Sequence, residues 1–443
     1  PDAVTEVTEQ DAALIALAQS AIADLNSRYP MEDGPRFLLL HRRRLWNPSE
    51  GKWMGWERKR GKLVELNRLL RGATDTGFVI GQSDVPQHVR FVVTLDADTR
   101  LPRDTLRALI GKMAHPMNSP RLDPSSQRVV EGHGILQPRV TPALPIGQEA
   151  SIYRRTFASI GGIEPYAAAI SDVYQDLFAE GSFTGKGIYD VDAFTAALEG
   201  RVPENTMLSH DLFEGIFARA ALVSDIEVIE DFPTRLDVAS KRQHRWVRGD
   251  WQLLPWIAGD RTIPAVGRWK MIDNLRRSLL APLSIAALFA GWLMPVPAAT
   301  VWTLALLAMI ALPRLLGLPH AILPHRPGSS LPMHFRALWR DTATAVAQIG
   351  LTVVFLADQA WLMGDAILRS LFRITLSHRH LLEWMTAAEA GATRRQSLPG
   401  WFRNMAGGVV LGLGTVALAF WINPAVWPIL LPFALIWAAA PAI

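Results

Sequence analysis

The stretch Val89 to Pro116, VRFVVTLDADTRLPRDTLRALIGKMAHP, combines a strand, an acidic pair and a helix in one continuous segment. Val89 to Leu95 is mostly apolar, which is typical of a strand covered on both faces. It runs directly into Asp96 and Asp98, and Pro102 to Ala114 is predicted to form a helix with proline in its first turn. This order predicts an α/β domain that binds its ligands at the carboxyl edge of the sheet.

Other segments of the first 270 residues agree with an alternation of strands, loops and helices. Leu14, Leu17, Ala21 and Leu25 recur at helical spacing and predict an amphipathic helix. The complete set of predictions is a helix over 8–28, a strand at 37–40, a basic loop before a leucine-rich helix at 55–72, a strand at 132–140, a functional loop region over 161–192, a helix from 209 and a strand at 223–233.

The acidic pair Asp96 and Asp98 is a candidate metal site. Two carboxylates one residue apart can share a divalent cation and the diphosphate bound to it. Such a pair is common, and a capping aspartate followed by a surface aspartate is the ordinary alternative. The strand before the pair, the helix after it and the basic loop with Lys59, Arg60 and Lys62 favour a diphosphate pocket instead. Asp98 is expected to bind the metal directly, with Asp96 facing the nucleotide.

A second candidate is Asp211 in the sequence SHDL, at a predicted helix start. A carboxylate at the mouth of a cleft can accept a proton from an attacking hydroxyl, so Asp211 is a candidate general base. The alternative is that Asp211 only caps the helix. Glu214 is a weaker candidate for the same role.

A third candidate is the basic segment RQHRW, which spans 242–246. Arginine binds phosphate in a fork, and the faces of Trp246 and Trp251 suit the apolar faces of sugar rings. The alternative is a basic, tryptophan-flanked helix that lies on a membrane surface.

Composition excludes several classes of protein. The 443 residues contain no cysteine, which excludes disulfides, thiolate metal ligands and a cysteine nucleophile. A formal net charge of +4 is modest, and no nucleic-acid-binding module is recognisable, so nucleic acid is not expected as a partner. Arginine clusters close to apolar stretches fit an anionic membrane surface. Because the chain begins without methionine and ends in an apolar run, we expect it to be part of a longer polypeptide.

The composition changes near Leu279, after which apolar residues dominate. We predict a first domain over 1–270 and a membrane region over 271–443. Two helical hairpins are expected to cross a bilayer, with spans at about 279–296, 298–312, 405–422 and 425–440. The segment 343–363 contains polar residues and has arginines on both flanks, so interfacial amphipathic helices are predicted over 337–384, and a fifth span is the alternative.

With these elements in this order, the sequence resembles the inverting, membrane-integrated, processive glycosyltransferases of the cellulose and hyaluronan synthase type. It resembles most the glycosyltransferase module of cyclic β-1,2-glucan synthases, through the blocks WNPSEGKWMGWERKRGKLVELNRLL, TLDADTRLPRDTLRALIGKMAHP, SDVYQDLFAEGSFTGKGIYDVDAF, LSHDLFEGIFARA and RQHRWVRGDWQLLPW. The match covers roughly 37–256. One departure is Arg242 at the family's glutamine, with Gln243 beside it, so the role of that glutamine is not transferred.

The resemblance implies an α/β GT-A domain, Rossmann-like and nucleotide-sugar-binding, followed by an α-helical transmembrane region with interfacial helices. It implies UDP-glucose as donor, Mg²⁺ or Mn²⁺ as cofactor, and growth of a β-1,2-glucan. It assigns Asp96 and Asp98 to UDP and metal, Asp211 to the base, and Arg245 with Trp246 to the diphosphate and acceptor. The first GT-A strand is not recognisable in this chain.

The resemblance also implies a multi-pass protein of the bacterial inner membrane, with a cytoplasmic catalytic domain and further domains on the same polypeptide. Such synthases are described as building the glucan on a protein tyrosine. Tyr29, at a helix end before a Gly-Pro loop, is the preferred candidate among the five tyrosines. Two alternatives stay open: another processive synthase, of the cellulose or mannan type, or a non-catalytic glycan transporter or scaffold.

Overall fold

The computed structural model describes residues 2–32, 34–81, 85–143, 156–157, 172–233, 235–316, 318–322, 330–384 and 397–443. A mixed α/β part comes first and a helical part follows. The strands are β1 His41–Arg42, β2 Leu45–Asn47, β3 Lys52–Met54, β4 Phe78–Ile80, β5 Phe91–Thr94, β6 Arg121–Asp123, β7 Arg128–Glu131, β8 Ile135–Pro142, β9 Gly187–Asp190 and β10 Ala220–Glu230. The helices of this part are α1 Glu9–Arg28, α2 Arg58–Leu69, α3 Thr105–Met113, α4 Val173–Phe178, α5 Val191–Leu198, α6 Asp211–Phe217, α7 Leu236–Gln252 and α8 Leu254–Gly259.

The central sheet has four strands in the order β10, β8, β9, β5. Strands β10 and β8 are parallel, and β9 is antiparallel to both β8 and β5. Strands β5, β8 and β10 therefore all run in the same direction, and their carboxyl ends meet at one edge. Short antiparallel pairs, β1 with β4, β2 with β3 and β6 with β7, lie outside this sheet.

Alternate residues of the sheet enter different clusters of the core. Ile135 and Tyr189 pack in the larger cluster with Phe213 of α6. Their sequence neighbours Leu136 and Ile188 pack with Leu109 and Met113 of α3 in a second cluster. Successive side chains of a strand point to opposite faces, so the sheet is buried on both sides and the mixed α/β prediction is confirmed.

Two predicted boundaries near the start of the chain are wrong. Residues 37–40 are not a strand, because the pairing with β4 begins only at His41. The basic residue Arg42 enters this strand because its guanidinium donates to Glu65 at 2.6 Å. The basic residues Lys59, Arg60 and Lys62 lie in the first turns of α2, not in a loop.

Gly61 explains the second error. It lies inside α2, where an added Cβ would come within 2.1 Å of the Trp56 carbonyl oxygen. The glycine permits close packing within a helix, whereas the sequence was interpreted as a glycine-containing loop.

The helix after the acidic pair is shorter than predicted and begins at Thr105. Arg100 forms an isolated antiparallel bridge with Ile229 of β10, so the chain is still extended after Asp98. The predicted strand at 132–140 is observed as β8, the strand at 223–233 as β10, and the helix from 209 as α6, each with shifted ends. Of the loop region over 161–192, residues 161–171 lie outside the described residues, and the remainder contains α4, β9 and the start of α5.

The helical part begins with α9 Ala265–Trp292, a helix of 28 residues with Pro282 inside it. The other helices are α10 Val296–Leu315, α11 Leu318–Ile322, α12 Leu331–Val354, α13 Leu356–Phe372, α14 Leu398–Asn404, α15 Ala406–Ile422 and α16 Trp427–Ala439. A π-helical turn, Arg373–Ser377, follows α13. Trp292 and Trp437 are buried in the shared core of this part.

Among the described residues, two helical segments are long and apolar enough to cross a membrane, Val296–Leu315 and Pro424–Ala442. The number rises to four if each of two bent helix pairs forms one span. The pair α12 and α13 bends by 58°, and the pair α14 and α15 bends by 64°. These apolar helices fit a membrane protein, and the predicted span boundaries and domain limits stay predictions.

Candidate active site

Three carboxylates converge at the carboxyl edge of the central sheet. Asp96 and Asp98 follow β5, and Glu230 is the last residue of β10. One carboxylate oxygen of each lies within 4.8 Å of the others. The bridge between Arg100 and Ile229 brings the segment after β5 beside the end of β10, which explains why distant parts of the sequence meet here.

Basic side chains surround the acidic cluster. Lys59 of α2 donates to Asp96 Oδ1 at 2.7 Å. Lys186, which is 2% exposed, places Nζ 3.4 Å from Asp96 Oδ2 and 3.3 Å from Glu230 Oε2. Arg242 of α7 donates to Glu230 Oε1 at 3.1 Å. The cluster is therefore an ionic network in which lysine and arginine balance part of the negative charge.

The two aspartates have opposite pKa shifts. Burial opposes ionisation of Asp96, but Lys59 and Lys186 outweigh it and hold the pKa of this carboxyl below its usual value. Burial raises the pKa of Asp98, and the nearby carboxylates of Glu230 and Asp96 raise it further. Asp98 is thus the carboxyl that a divalent cation would stabilise most in its charged form.

The donor set fits Mg²⁺ or Mn²⁺. Both are hard cations that bind carboxylate oxygens and complete their shell with phosphate or water. Asp96, Asp98 and Glu230 would hold such an ion. The structure thus brings together the two predicted ligands and adds a third, whereas the predicted division of roles between Asp96 and Asp98 stays a prediction.

Asp211 lies beside this cluster. It is the first residue of α6, and the N-cap position belongs to His210, so the alternative that Asp211 is the helix cap does not hold. Gly185, with φ +83°, packs on Asp211, and a Cβ there would lie 2.6 Å from Asp211 Oδ1. Lys59 donates to the Gly185 carbonyl at 2.9 Å as well as to Asp96. Lys59 therefore connects the acidic cluster to Gly185, on which Asp211 packs.

The helix α7 covers the segment that carries Asp211. Gln252 Oε1 accepts a hydrogen bond from the Leu208 amide at 2.8 Å. A Cβ on Gly249 would lie 2.4 Å from Ser209 Cβ, so only glycine allows this approach. The basic motif and the candidate base thus belong to one packed unit.

Arg245 of α7 faces both Asp96 and Asp211. Burial and the neighbouring charge of Arg242 together lower the pKa of its guanidinium to about 10, although Asp96 and Asp211 act in the opposite sense. The guanidinium carbon lies 3.8 Å from the centre of the Trp384 ring. Arg242 stacks on Trp246 at 4.7 Å and so holds this tryptophan.

The other predicted site residues have separate surroundings. Arg60 donates to Glu57 at 2.6 Å. Burial lowers the pKa of Lys62, with Arg42 and Lys59 adding to the effect and Asp96 opposing it. Tyr29 is 55% exposed and packs edge-on against Phe37. Their predicted roles stay predictions. Of the other tyrosines, Tyr174 and Tyr189 are buried, and residues 153 and 166 lie outside the described residues.

Two residues of the cluster were missed from the sequence, Glu230 and Lys186. Glu230 was visible as the acidic end of a predicted strand, and the rule that parallel strand ends share one edge would have placed it beside Asp96. Lys186 lies in the loop region that was predicted to be functional, but no pattern in that loop distinguished it.

An α/β domain with a carboxylate cluster at its sheet edge, joined to apolar helices, defines a membrane-associated protein with a candidate metal-dependent site. No protein-family model matches the chain. The chain is 49% identical, over 445 residues, to cyclic beta-(1,2)-glucan synthase NdvB of Rhizobium meliloti (strain 1021). The match covers 100% of this chain and 16% of that protein. This chain is a homologue of a module of that glucan synthase.

Proposed function

We propose that this chain is the glucosyltransferase module of a cyclic β-1,2-glucan synthase, with a GT-A domain and UDP-glucose as donor. The observation that carries the proposal is the position of Lys59, which bonds both Asp96 and the Gly185 carbonyl, while Gly185 packs on Asp211. A candidate metal site and a candidate base therefore lie next to each other. The name of the NdvB relative supports a glucan as product.

The donor diphosphate is placed at the acidic cluster. Mg²⁺ or Mn²⁺ held by Asp96, Asp98 and Glu230 would neutralise the charge that develops on UDP as it leaves. Lys59 and Arg245 add positive charge on the side of Asp211, and both contact or face Asp96. Fixed positive charge in a partly buried cleft stabilises a departing diphosphate more strongly than solvent does.

The acceptor is placed at Asp211. The 2-hydroxyl of the terminal glucose attacks the anomeric carbon of UDP-glucose, and its proton passes to the Asp211 carboxylate. The new C–O bond forms as the bond from the anomeric carbon to the diphosphate breaks, and configuration inverts. Trp246, held by Arg242, is proposed to contact the acceptor.

The setting is proposed to be a multi-pass protein of the bacterial inner membrane, with the α/β domain on the cytoplasmic side. The apolar helices support an association with a lipid bilayer. The growing glucan and further domains of the same polypeptide are the proposed partners, because the chain spans only 16% of the relative that it matches.

The test is turnover of UDP-glucose by the purified chain in detergent or nanodiscs. We expect release of UDP that requires Mg²⁺ or Mn²⁺, and a product whose linkage analysis gives 2-substituted glucose. Asp211→Asn should lower turnover by about 100-fold or more, because a general base contributes that much. Turnover by Asp211→Asn close to the unmodified rate would reject the base, and 4-substituted glucose would reject the product.

A further inference from the structure

His210 lies immediately before the candidate base and is buried, with 7% of its surface exposed. Its Nδ1 is 2.8 Å from Glu214 Oε1, one turn along α6, and 3.5 Å from Asp211 Oδ1. The imidazole therefore stands between two carboxylates. Neither the acidic cluster nor the transfer step described above uses it.

Glu214 requires a positive partner. It is only 3% exposed, and its Oε2 has no hydrogen-bond partner among the described residues. An ionised carboxylate in such surroundings is stable only beside a compensating charge. His210 is the group within hydrogen-bond distance that can supply one.

The carboxylate of Asp211 is asymmetric. Its Oδ1 is buried and has no hydrogen-bond partner among the described residues, although the side chain as a whole is 30% exposed. Both oxygens lie against Gly185, where an added Cβ would be 2.6 Å from Oδ1 and 2.9 Å from Oδ2, but Oδ1 is the oxygen 3.5 Å from His210 Nδ1. Because Oδ1 is buried while the side chain is partly exposed, Oδ2 is the oxygen that an acceptor hydroxyl can reach.

We propose that His210, paired with Glu214, is a positioning residue that holds Asp211 Oδ1 towards the protein interior and leaves Oδ2 to receive the acceptor proton. A positive imidazolium attracts Oδ1 and does not occupy Oδ2, the oxygen that reacts. The inference rests on the proposed role of Asp211 as base.

The electrostatic surroundings support a charged imidazole. Burial opposes protonation of His210, but Glu214 and Asp211 outweigh it and raise its pKa above the usual value, while Lys59 on α2 acts against them. Tyr189 on β9, which faces Glu214, donates its hydroxyl hydrogen to Asn67 at 2.7 Å and adds no charge. The two carboxylates therefore favour the charged form of the His210 imidazole.

The test compares His210→Gln and Glu214→Gln with the unmodified chain and with Asp211→Asn. Glutamine at 210 keeps a hydrogen-bond donor but removes the charge, and glutamine at 214 removes the anion that holds that charge. His133→Gln is the matched control, because His133 precedes the amino end of β8, at the opposite edge of the sheet. UDP release is measured against pH, together with KM for UDP-glucose and melting temperature.

We expect both glutamine variants to move the acidic limb of the kcat profile to higher pH, by about one pH unit for His210→Gln. The reason is that a carboxylate without a nearby cation is protonated more easily. On the acidic limb kcat should fall about tenfold at a given pH and recover on the plateau above it, with KM within about twofold, because the donor site is untouched. His133→Gln should leave the profile unchanged.

Three results would overturn the proposal. A loss of kcat that is equal at all pH values and follows a lowered melting temperature would mean a structural role. Recovery of His210→Gln by added Mn²⁺ or Zn²⁺ would mean that His210, Asp211 and Glu214 hold a metal. An unchanged profile in both variants would mean that His210 does not act on Asp211. If the unmodified chain does not turn over UDP-glucose, or Asp211→Asn is fully active, the proposed function itself fails and this inference falls with it.

Discussion

Lys186 is the residue that connects the two sides of the acidic cluster. It is almost fully buried, and its ammonium lies 3.4 Å from Asp96 and 3.3 Å from Glu230. A buried lysine is tolerated because two carboxylates compensate its charge. A divalent cation at this edge would therefore share two of its ligands, Asp96 and Glu230, with a resident amine.

Glu230→Gln should weaken metal binding more than it lowers the rate of UDP release at saturating metal. Replacing this carboxylate removes one negative oxygen donor and the partner of both Lys186 and Arg242. We expect the Mn²⁺ concentration for half-maximal UDP release to rise about 10-fold to 100-fold. Glu227→Gln, on the same strand but paired with Arg139, is the control. If both variants need the same Mn²⁺ concentration for half-maximal UDP release, Glu230 is not a metal ligand.

At the scale of elements, α7 carries the basic motif and fixes the position of Asp211, the proposed base. Glycine at 249 lets α7 approach Ser209, and Gln252 bonds the Leu208 amide. The segment with His210 and Asp211 is thus clamped from its amino-terminal side. The position of Asp211 depends on the packing of this helix, in addition to any charge that the helix supplies.

Gly249→Ala should therefore lower kcat without removing a charged group. The new Cβ would lie 2.4 Å from Ser209 Cβ, which forces α7 and the base segment apart. A displacement of that kind costs about 10-fold to 100-fold in rate. Gly259→Ala is a matched control, because an added Cβ there meets nothing within 4 Å. Similar rates of UDP release for the two variants would contradict the clamp.

The sequence predicted the elements that local pattern determines and missed those set by distant contacts. The apolar run before Asp96 and the spacing of leucines in α1 were sufficient for β5 and α1. The start of α3 was missed because Asp104 adopts a left-handed backbone conformation, with φ +64°, which no local pattern indicated. The basic start of α2 was missed because Gly61 serves packing against Trp56, which no local pattern distinguishes from a loop.

The interface between α7 and α9 predicts a pH effect on stability. Burial raises the pKa of Asp250 from 3.8 to about 6, although Asn274 donates to it at 3.0 Å. The folded state holds this proton more tightly than the unfolded chain. The carboxyl's contribution to stability is therefore complete below pH 3.8 and is lost as the pH rises through about 6.

Asp250→Asn should remove the loss of stability at high pH. The amide oxygen of the new residue can still accept a hydrogen bond from Asn274, and it carries no charge. We expect the variant to melt about 3 °C above the unmodified chain at pH 8, and close to it at pH 4. Thermal unfolding followed by tryptophan fluorescence at both pH values measures the difference. A gain of the same size at pH 4 would assign the effect to packing instead of ionisation.

At the scale of the whole molecule, the α/β part and the helical part meet through the same helix that packs on the segment before Asp211. Val247 of α7 packs with Met363, Ala366 and Ile367 of α13. His244 bonds Asp365 at 2.8 Å, and the Ser370 hydroxyl donates to the Arg248 carbonyl at 3.1 Å. Because α7 serves both contacts, disturbing α13 should be felt at Asp211.

Ala366→Phe tests this connection. Ala366 has no exposed surface, and a phenyl ring there overpacks the contact with Val247, at a cost of about 1–3 kcal/mol. We expect UDP release to fall about tenfold or more as α7 shifts from Ser209. Leu368→Phe is the control, because Leu368 lies two positions further on the same helix and is 69% exposed. If Ala366→Phe lowers the melting temperature while UDP release stays at the control rate, the two parts act independently, and the position of the base does not depend on the helical part.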